Sequence, residues 1–188
     1  MGKFEKLESV MRELGLSRQE VVNYLTNPQS NSSVAIDITH IKPGMYWNED
    51  NTFSTEQKSD KVKAIVELVE DGVIYGDLTA SELFDIKEQK LPWNEAKKFI
   101  ESFSYPCQDN EKIVWYTYKQ LQCVWKNYGQ VKKAFVQLSK NYRYGWNWSS
   151  VKQSEVRAFS VAFDRGTLYG SLINNLDYIR PVIALKVF

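Results

Sequence analysis

Apolar positions change their period several times along this chain, and each change predicts an element. Phe4, Leu7, Val10, Met11 and Leu14 recur at helical spacing between Lys, Glu and Arg, and Gly15 follows as a stop. Ser17 and Glu20 form an S-x-x-E capping box ahead of Val21, Val22, Tyr24 and Leu25, a stretch that Asn27-Pro28 ends. Residues 1–27 are therefore expected as a helical hairpin. Its short apolar stripe, Phe4, Leu7, Met11 and Leu14, needs a surface to cover it, which predicts docking or homo-oligomerisation.

The polar run from Pro28 is expected as a linker over 28–39. Lys42-Pro43-Gly44 then turns into MYWNED, and VKAIVELVEDGVIYGDL (62–78) reads as two strands joined through Asp71-Gly72. Pro92 opens a helix over LPWNEAKKFIESF, with Trp93, Ala96, Phe99, Ile100 and Phe103 on one face. Further helical stretches run from about Tyr118 to Trp125 and from about Gln130 to Ser139. Beyond Ala158 the period becomes two: Phe159, Val161 and Phe163 alternate with smaller residues, Asp164-Arg165-Gly166 turns the chain, TLYGSLI follows, and Asn174-Asn175 turns it into YIRPVIALKV. The expectation is an α+β domain over 40–188 that ends in a three-stranded antiparallel meander.

Composition narrows the function. Lys and Arg number 24 and Asp and Glu 23, a net charge of +1, so no global field favours nucleic acid and no nucleic-acid partner is expected. The hairpin LGLSRQEVVNYL resembles a helix-turn-helix only loosely, with no third helix and one basic residue, Arg18, near its turn. No stretch is apolar for the ~18 residues a membrane span needs, so no membrane insertion is expected. The N-terminus shows no apolar h-region, which leads to an expectation of synthesis in the cytoplasm.

His40 is the one histidine, so any Ser-His-Asp, Cys-His or His-based metal site would have to use it, and its place beside a turn reads as structural. Cys107 and Cys123 have neither the number nor the spacing of a disulfide framework or zinc site. No phosphate-binding, nucleophile-elbow or zinc-protease motif occurs. The expectation is a non-enzymatic protein with no cofactor and no metal.

What remains is aromatic content, 14% of the residues. Trp93 and Trp125 lie on apolar helix faces and are expected in the core. Tyr142, Tyr144 and Trp146, in NYRYGWN between a helix and a strand, are expected on a contact surface, since loops carry binding and Tyr, Trp, Asn and Arg suit it. The candidate surface is Tyr142, Arg143, Tyr144, Trp146, Asn147, Lys152, Arg165, Tyr169, Asn174 and Asn175.

The order of segments carries a resemblance. LPWNEAKKFIESF is similar to a W-x-E-A helix, IVWYTYKQLQCVW to a W-R-L-P-T-x-x-E-L segment, and YGWNWSS through VRAFSVAFDRGTLYG to YIRPVIAL to a Y-W-S-S-T-E, A-W-x-V-x-F-x-x-G, V-R-P-V ending. These resemble the C-type-lectin-like family of the Fibrobacter succinogenes major paralogous domain and the C-terminal domain of the legionella collagen-like adhesin. The ending is also similar to that of phage and gut-bacterial variable proteins diversified by retroelements. The resemblance implies that Trp148, Ser149, Ser150, Phe163, Gly166, Arg180, Pro181 and Val182 are fold-forming. Val151-Lys152 replaces the usual T-E, and Tyr116-Thr117-Tyr118 the usual L-P-T. Trp146-Asn147 runs into Trp148 instead of a carboxylate, and E-P-N and Q-P-D are missing, so no calcium-dependent sugar site is expected.

Together these readings predict a phage virion component that binds protein or glycan on a host surface and meets other virion proteins through its N-terminal helices. The alternatives are a structural capsid-decorating or fibre protein and a bacterial surface adhesin.

Overall fold

The computed structural model describes residues 36–57, 61–79, 89–140, 142 and 145–187. The elements below belong to one compact unit, Asp37–Phe188. The expected hairpin, with Phe4, Leu7, Met11 and Leu14, and the first part of the expected linker lie outside the described residues. The last linker residues form a 3-10 turn, Ile38–His40, which Asp37 caps by accepting from the Thr39 N–H.

The fold is α+β, built on two sheets. The first has the order β2-β1-β3-β4-β11-β6: β1 is Tyr46–Asn48, β2 Phe53–Ser54, β3 Val62–Glu70, β4 Val73–Leu78, β6 Glu111–Trp115 and β11 Pro181–Lys186. The second has the order β5-β10-β7-β8-β9, with β5 at Lys90–Leu91, β7 Trp146–Lys152, β8 Arg157–Ala162, β9 Thr167–Leu172 and β10 Asp177–Tyr178. The expected β3–β4 hairpin forms. Asp71 (φ 50°) and Gly72 (φ 73°) both take the positive φ that matches a two-residue turn to strand twist.

Within β3, Val66 pairs with Gly76 and Leu68 with Tyr75, which leaves Glu67 as the extra residue of a bulge. Strict alternation would put Ile65 and Leu68 on opposite faces. The bulge turns both into one core with Tyr46, Tyr116, Val161, Phe163 and Val182. Two helices complete that core: α2 (Tyr118–Lys126) through Leu121 and Val124, and α3 (Tyr128–Gln137) through Val131, Ala134 and Phe135. Thr117 caps α2 in a full capping box with Gln120. A third helix, α1 (Trp93–Ser102), lies against the second sheet, and its Trp93 and Ala96 pack with Trp148, Ala158 and Ile179. Alternation along β8 puts Ala158 and Val161 on opposite faces, so α1 covers one face of that sheet and α2 the other.

The expected C-terminal meander is corrected in its last strand. β8 and β9 form the predicted hairpin, but their third partner is β7, the WNWSSVK segment itself. YIRPVIALKV leaves that sheet. Only Asp177–Tyr178 stays, parallel to β7, while β11 enters the first sheet between β4 and β6. Pro181 to Leu185 are buried without a break. Such a run belongs to a strand covered on both faces and could not sit in a half-solvated meander, where polar residues would alternate.

Candidate surface on the second sheet

Trp146 opens β7 opposite Ala162, and Ala162 pairs onward with Thr167. Tyr169 lies two pairs further along β9, opposite Ser160 and on the same face. Because Ala162 and Ser160 are small, the two large rings meet across β8, with centroids 6.0 Å apart and planes at 60°. Tyr169 is 55% exposed and Trp146 half-buried. The pair forms an open aromatic wedge on paired strands, on the face that α1 covers further along.

Beside the wedge runs a buried polar line. The Ser160 and Ser171 hydroxyls lie 2.9 Å apart, and Asp177, 7% exposed, hydrogen-bonds Ser160. Asp177 Oδ2 has no hydrogen-bond partner among the described residues. Burial raises the Asp177 pKa, against the opposing pull of Ser160 and of the Lys90 ammonium.

The predicted surface is only partly assembled. Tyr142 is buried, not exposed: its ring packs on Phe135 and Tyr128 and its hydroxyl meets Glu67 and Arg180. Asn147 is buried as well, because the strand's alternation turns it to the α2 side, where it donates to the Gly145 carbonyl. Arg143 and Tyr144 lie outside the described residues. Lys152 is exposed but sits at the far end of β7, its ammonium 4.9 Å from the Trp93 ring. Arg165 is exposed in the β8–β9 turn and pairs with Asp164 at 3.0 Å. Asn174 and Asn175 are exposed in the connection from β9 to β10.

The residues expected to be fold-forming are mostly buried. β7 loses register with β8 between Trp148 and Lys152, which frees carbonyls for other donors. Indole N–H groups take them: Trp115 donates to Trp148 O at 2.9 Å and Trp93 to Ser149 O at 2.8 Å. Trp148 in turn donates to Leu91 O, and Ser150 N–H to Tyr116 O. Trp148 and Ser149 are fully buried and Ser150 is half-buried. Gly166 (φ +70°) lies where a Cβ would fall 2.4 Å from the Trp125 ring. Phe163, Arg180, Pro181 and Val182 are all buried.

Sequence reasoning missed the cluster around Arg180. Glu67, Asp77, Tyr116 and Tyr142 surround its guanidinium, each no more than 5% exposed. Arg180 Nη1 donates to Glu67 Oε1 at 2.6 Å and to the Tyr142 hydroxyl at 2.6 Å, and lies 3.6 Å from Asp77 Oδ2. Tyr116 donates to Glu67 Oε2 at 3.1 Å. Burial works to lower the Arg180 pKa, but Tyr142, Glu67 and Asp77 outweigh it and raise it. One signal was available: Glu67 interrupts the apolar run of β3, and a carboxylate inside a buried strand needs a partner. A second buried pair, Lys63 and Glu111 at 2.5 Å, lies elsewhere in the first sheet.

His40 is exposed, 3.9 Å from Asp37. Cys107 and Cys123 are free thiols. Among the described residues no three His, Cys, Asp or Glu side chains gather as a metal site, and no helix is long and apolar enough to cross a membrane. An open groove of about 610 Å³ lies between the end of α1 and β6, lined in part by Phe103, Tyr105, Cys107 and Trp115. No protein-family model matches the chain, and no curated protein matches it in sequence.

Proposed function

We propose that this is a non-enzymatic binding module of C-type-lectin-like fold that engages a protein or glycan on a cell surface through the Trp146–Tyr169 wedge. The observation that carries the reading is the pairing of two solvent-reaching rings on rigid, hydrogen-bonded strands. Rigid aromatics supply contact area at low entropic cost, and Asn174 and Asn175 offer adaptable amides. The lectin-like part of the proposal is supported by the motif order and by the return of the C-terminal strand to pair with β4. The surface is narrower than expected from sequence: Tyr142 and Asn147 leave it. The phage-particle setting is the one that the resemblance implies.

The test is a glycan array and a cell-surface binding assay with the intact chain and a Trp146→Ala/Tyr169→Ala double variant. Loss of binding with an unchanged circular dichroism spectrum supports the proposal. Undiminished binding by the folded double variant overturns it.

A further inference from the structure

Acidic and basic side chains are segregated along this chain. Between Glu111 and Glu155 it carries seven lysines and one arginine and no carboxylate side chain. The whole chain has 24 basic and 23 acidic groups, so the near-neutral total conceals a stretch of one sign of charge along the chain.

Three of those lysines stand exposed on α2 and α3, and Glu70 of β3 accepts from the Gln120 amide of α2. The apolar residues of the two helices apart from Val136 pack into or against the core, and Lys119 and Lys126, seven residues apart and so on one helix face, are exposed on α2, as Lys133 is on α3. Among the described residues no ion pair ties any of these three lysines. Gln122 and Gln130 stand on the same two helices as further hydrogen-bonding groups. Because α2 covers the face of the second sheet opposite the Trp146–Tyr169 wedge, this surface is separate from the one already described.

We propose that the outer face of α2 and α3 binds the phosphate backbone of a nucleic acid without reading its sequence. Three partners could answer positive charge, and the residue types choose among them. Protein interfaces favour Arg and aromatics and are depleted in Lys, whereas α2 and α3 contain no Arg and turn their aromatics inward or half-inward. A membrane surface calls for apolar side chains that enter the lipid, and Val136 is the one large apolar residue exposed on these helices. Phosphate oxygens accept from Lys and Gln alike. Without an arginine fork to bind guanine edges, contact stays on the backbone.

The experiment measures fluorescence anisotropy of a labelled mixed-sequence DNA duplex of ~20 base pairs, a length spanning several phosphate contacts, against the full chain across a salt titration. Three lysine contacts predict a log–log salt slope of about −3. Lys119→Glu/Lys126→Glu/Lys133→Glu should weaken binding at least about tenfold at low salt, whereas Lys→Arg at all three positions keeps it, as point-charge contacts require. The Trp146→Ala/Tyr169→Ala variant should bind DNA like the parent, so failure of the wedge proposal leaves this one standing. If the charge-reversed protein loses its native circular dichroism spectrum, the Lys→Gln triple variant is used in its place. No binding by the parent at low salt overturns the proposal, as does a reversed or neutralised variant that binds like the parent. Retention on phosphatidylserine vesicles or on polyglutamate in place of DNA also overturns it.

Discussion

Arg180 and Glu67 stand 113 positions apart in the chain and 2.6 Å apart in the fold, both buried. Their contact joins the bulge of β3 to the residue just before β11. Asp77 from β4, Tyr116 just after β6, and Tyr142 complete the cluster, so one guanidinium ties together β3, β4, the end of β6 and the segment leading to β7. Phe163 and Tyr142 both lie against the cation, their ring centroids 4.7 and 4.6 Å from Cζ.

Removing the cation should be far costlier than removing the pair. Arg180→Met leaves two carboxylates buried beside an apolar side chain and should cost about 3–5 kcal/mol in urea denaturation. Adding Glu67→Gln to Arg180→Met should recover part of that loss, because one stranded charge is then gone. Additive losses in the double variant would show that the two side chains do not act as a unit.

Tyr116 and Tyr142 should resist ionisation. Burial first, then the neighbouring Glu67, raises both phenol pKa values well above the ordinary 10.0, although Arg180 acts in the opposite direction. Because the folded values exceed the unfolded ones, the stabilisation they contribute is full below pH 10 and is lost as pH rises past it. A phenolate absorbance titration should therefore show two tyrosines that ionise only with unfolding. Tyr142→Phe should remove one of them and cost about 1–3 kcal/mol through the lost buried hydroxyl. Tyr169→Phe, at an exposed position, should leave stability unchanged.

Asp177 supplies a pH dependence of the same sign in the acid range. Its carboxyl pKa is raised by burial above 3.8, so the folded state favours the protonated form. Stability from this group is present below the unfolded value and is lost as pH climbs through the raised one. Asp177→Asn keeps a neutral side chain that can still bond Ser160. Melting temperatures across pH 3 to 7, about the span that carboxyl groups titrate over, should show the variant gaining on the parent as pH rises. A constant difference would rule this out.

Gly166 should not tolerate a side chain. Its φ of +70° disfavours any Cβ, and the Trp125 ring already fills the space one would enter. Gly166→Ala should cost about 1–3 kcal/mol by overpacking alone. The smaller ring of a Trp125→Phe background should reduce that penalty, which a double-mutant cycle in chemical denaturation measures directly.

Local elements were legible because local periodicity controls them. The β3–β4 hairpin follows from Asp71-Gly72, α1 from Pro92 and its apolar face, and the β8–β9 hairpin from alternation around Gly166. β6 was hidden because its five residues alternate weakly and are only partly buried. Glu67 was visible as a carboxylate in an apolar run, but the bulge that aims it at Arg180 depends on how β4 pairs with β3. The aromatic surface was half legible. Tyr142 and Trp146 look alike in NYRYGWN, yet one anchors a buried charge cluster and the other stands at the solvent edge of β7.

The sequence by itself determined where α1, α2 and α3 and the β3–β4 and β8–β9 hairpins form, that the chain builds an α+β domain, and that the stretch between Glu111 and Glu155 carries basic and no acidic side chains. Each of these depends on residues close together in the chain. Only the tertiary structure decided which sheet receives β11, that Tyr142 and Asn147 turn inward, and that Trp146 meets Tyr169. Those outcomes depend on strand register and pairing between distant segments, where the shift of a single residue exchanges the buried face for the exposed one.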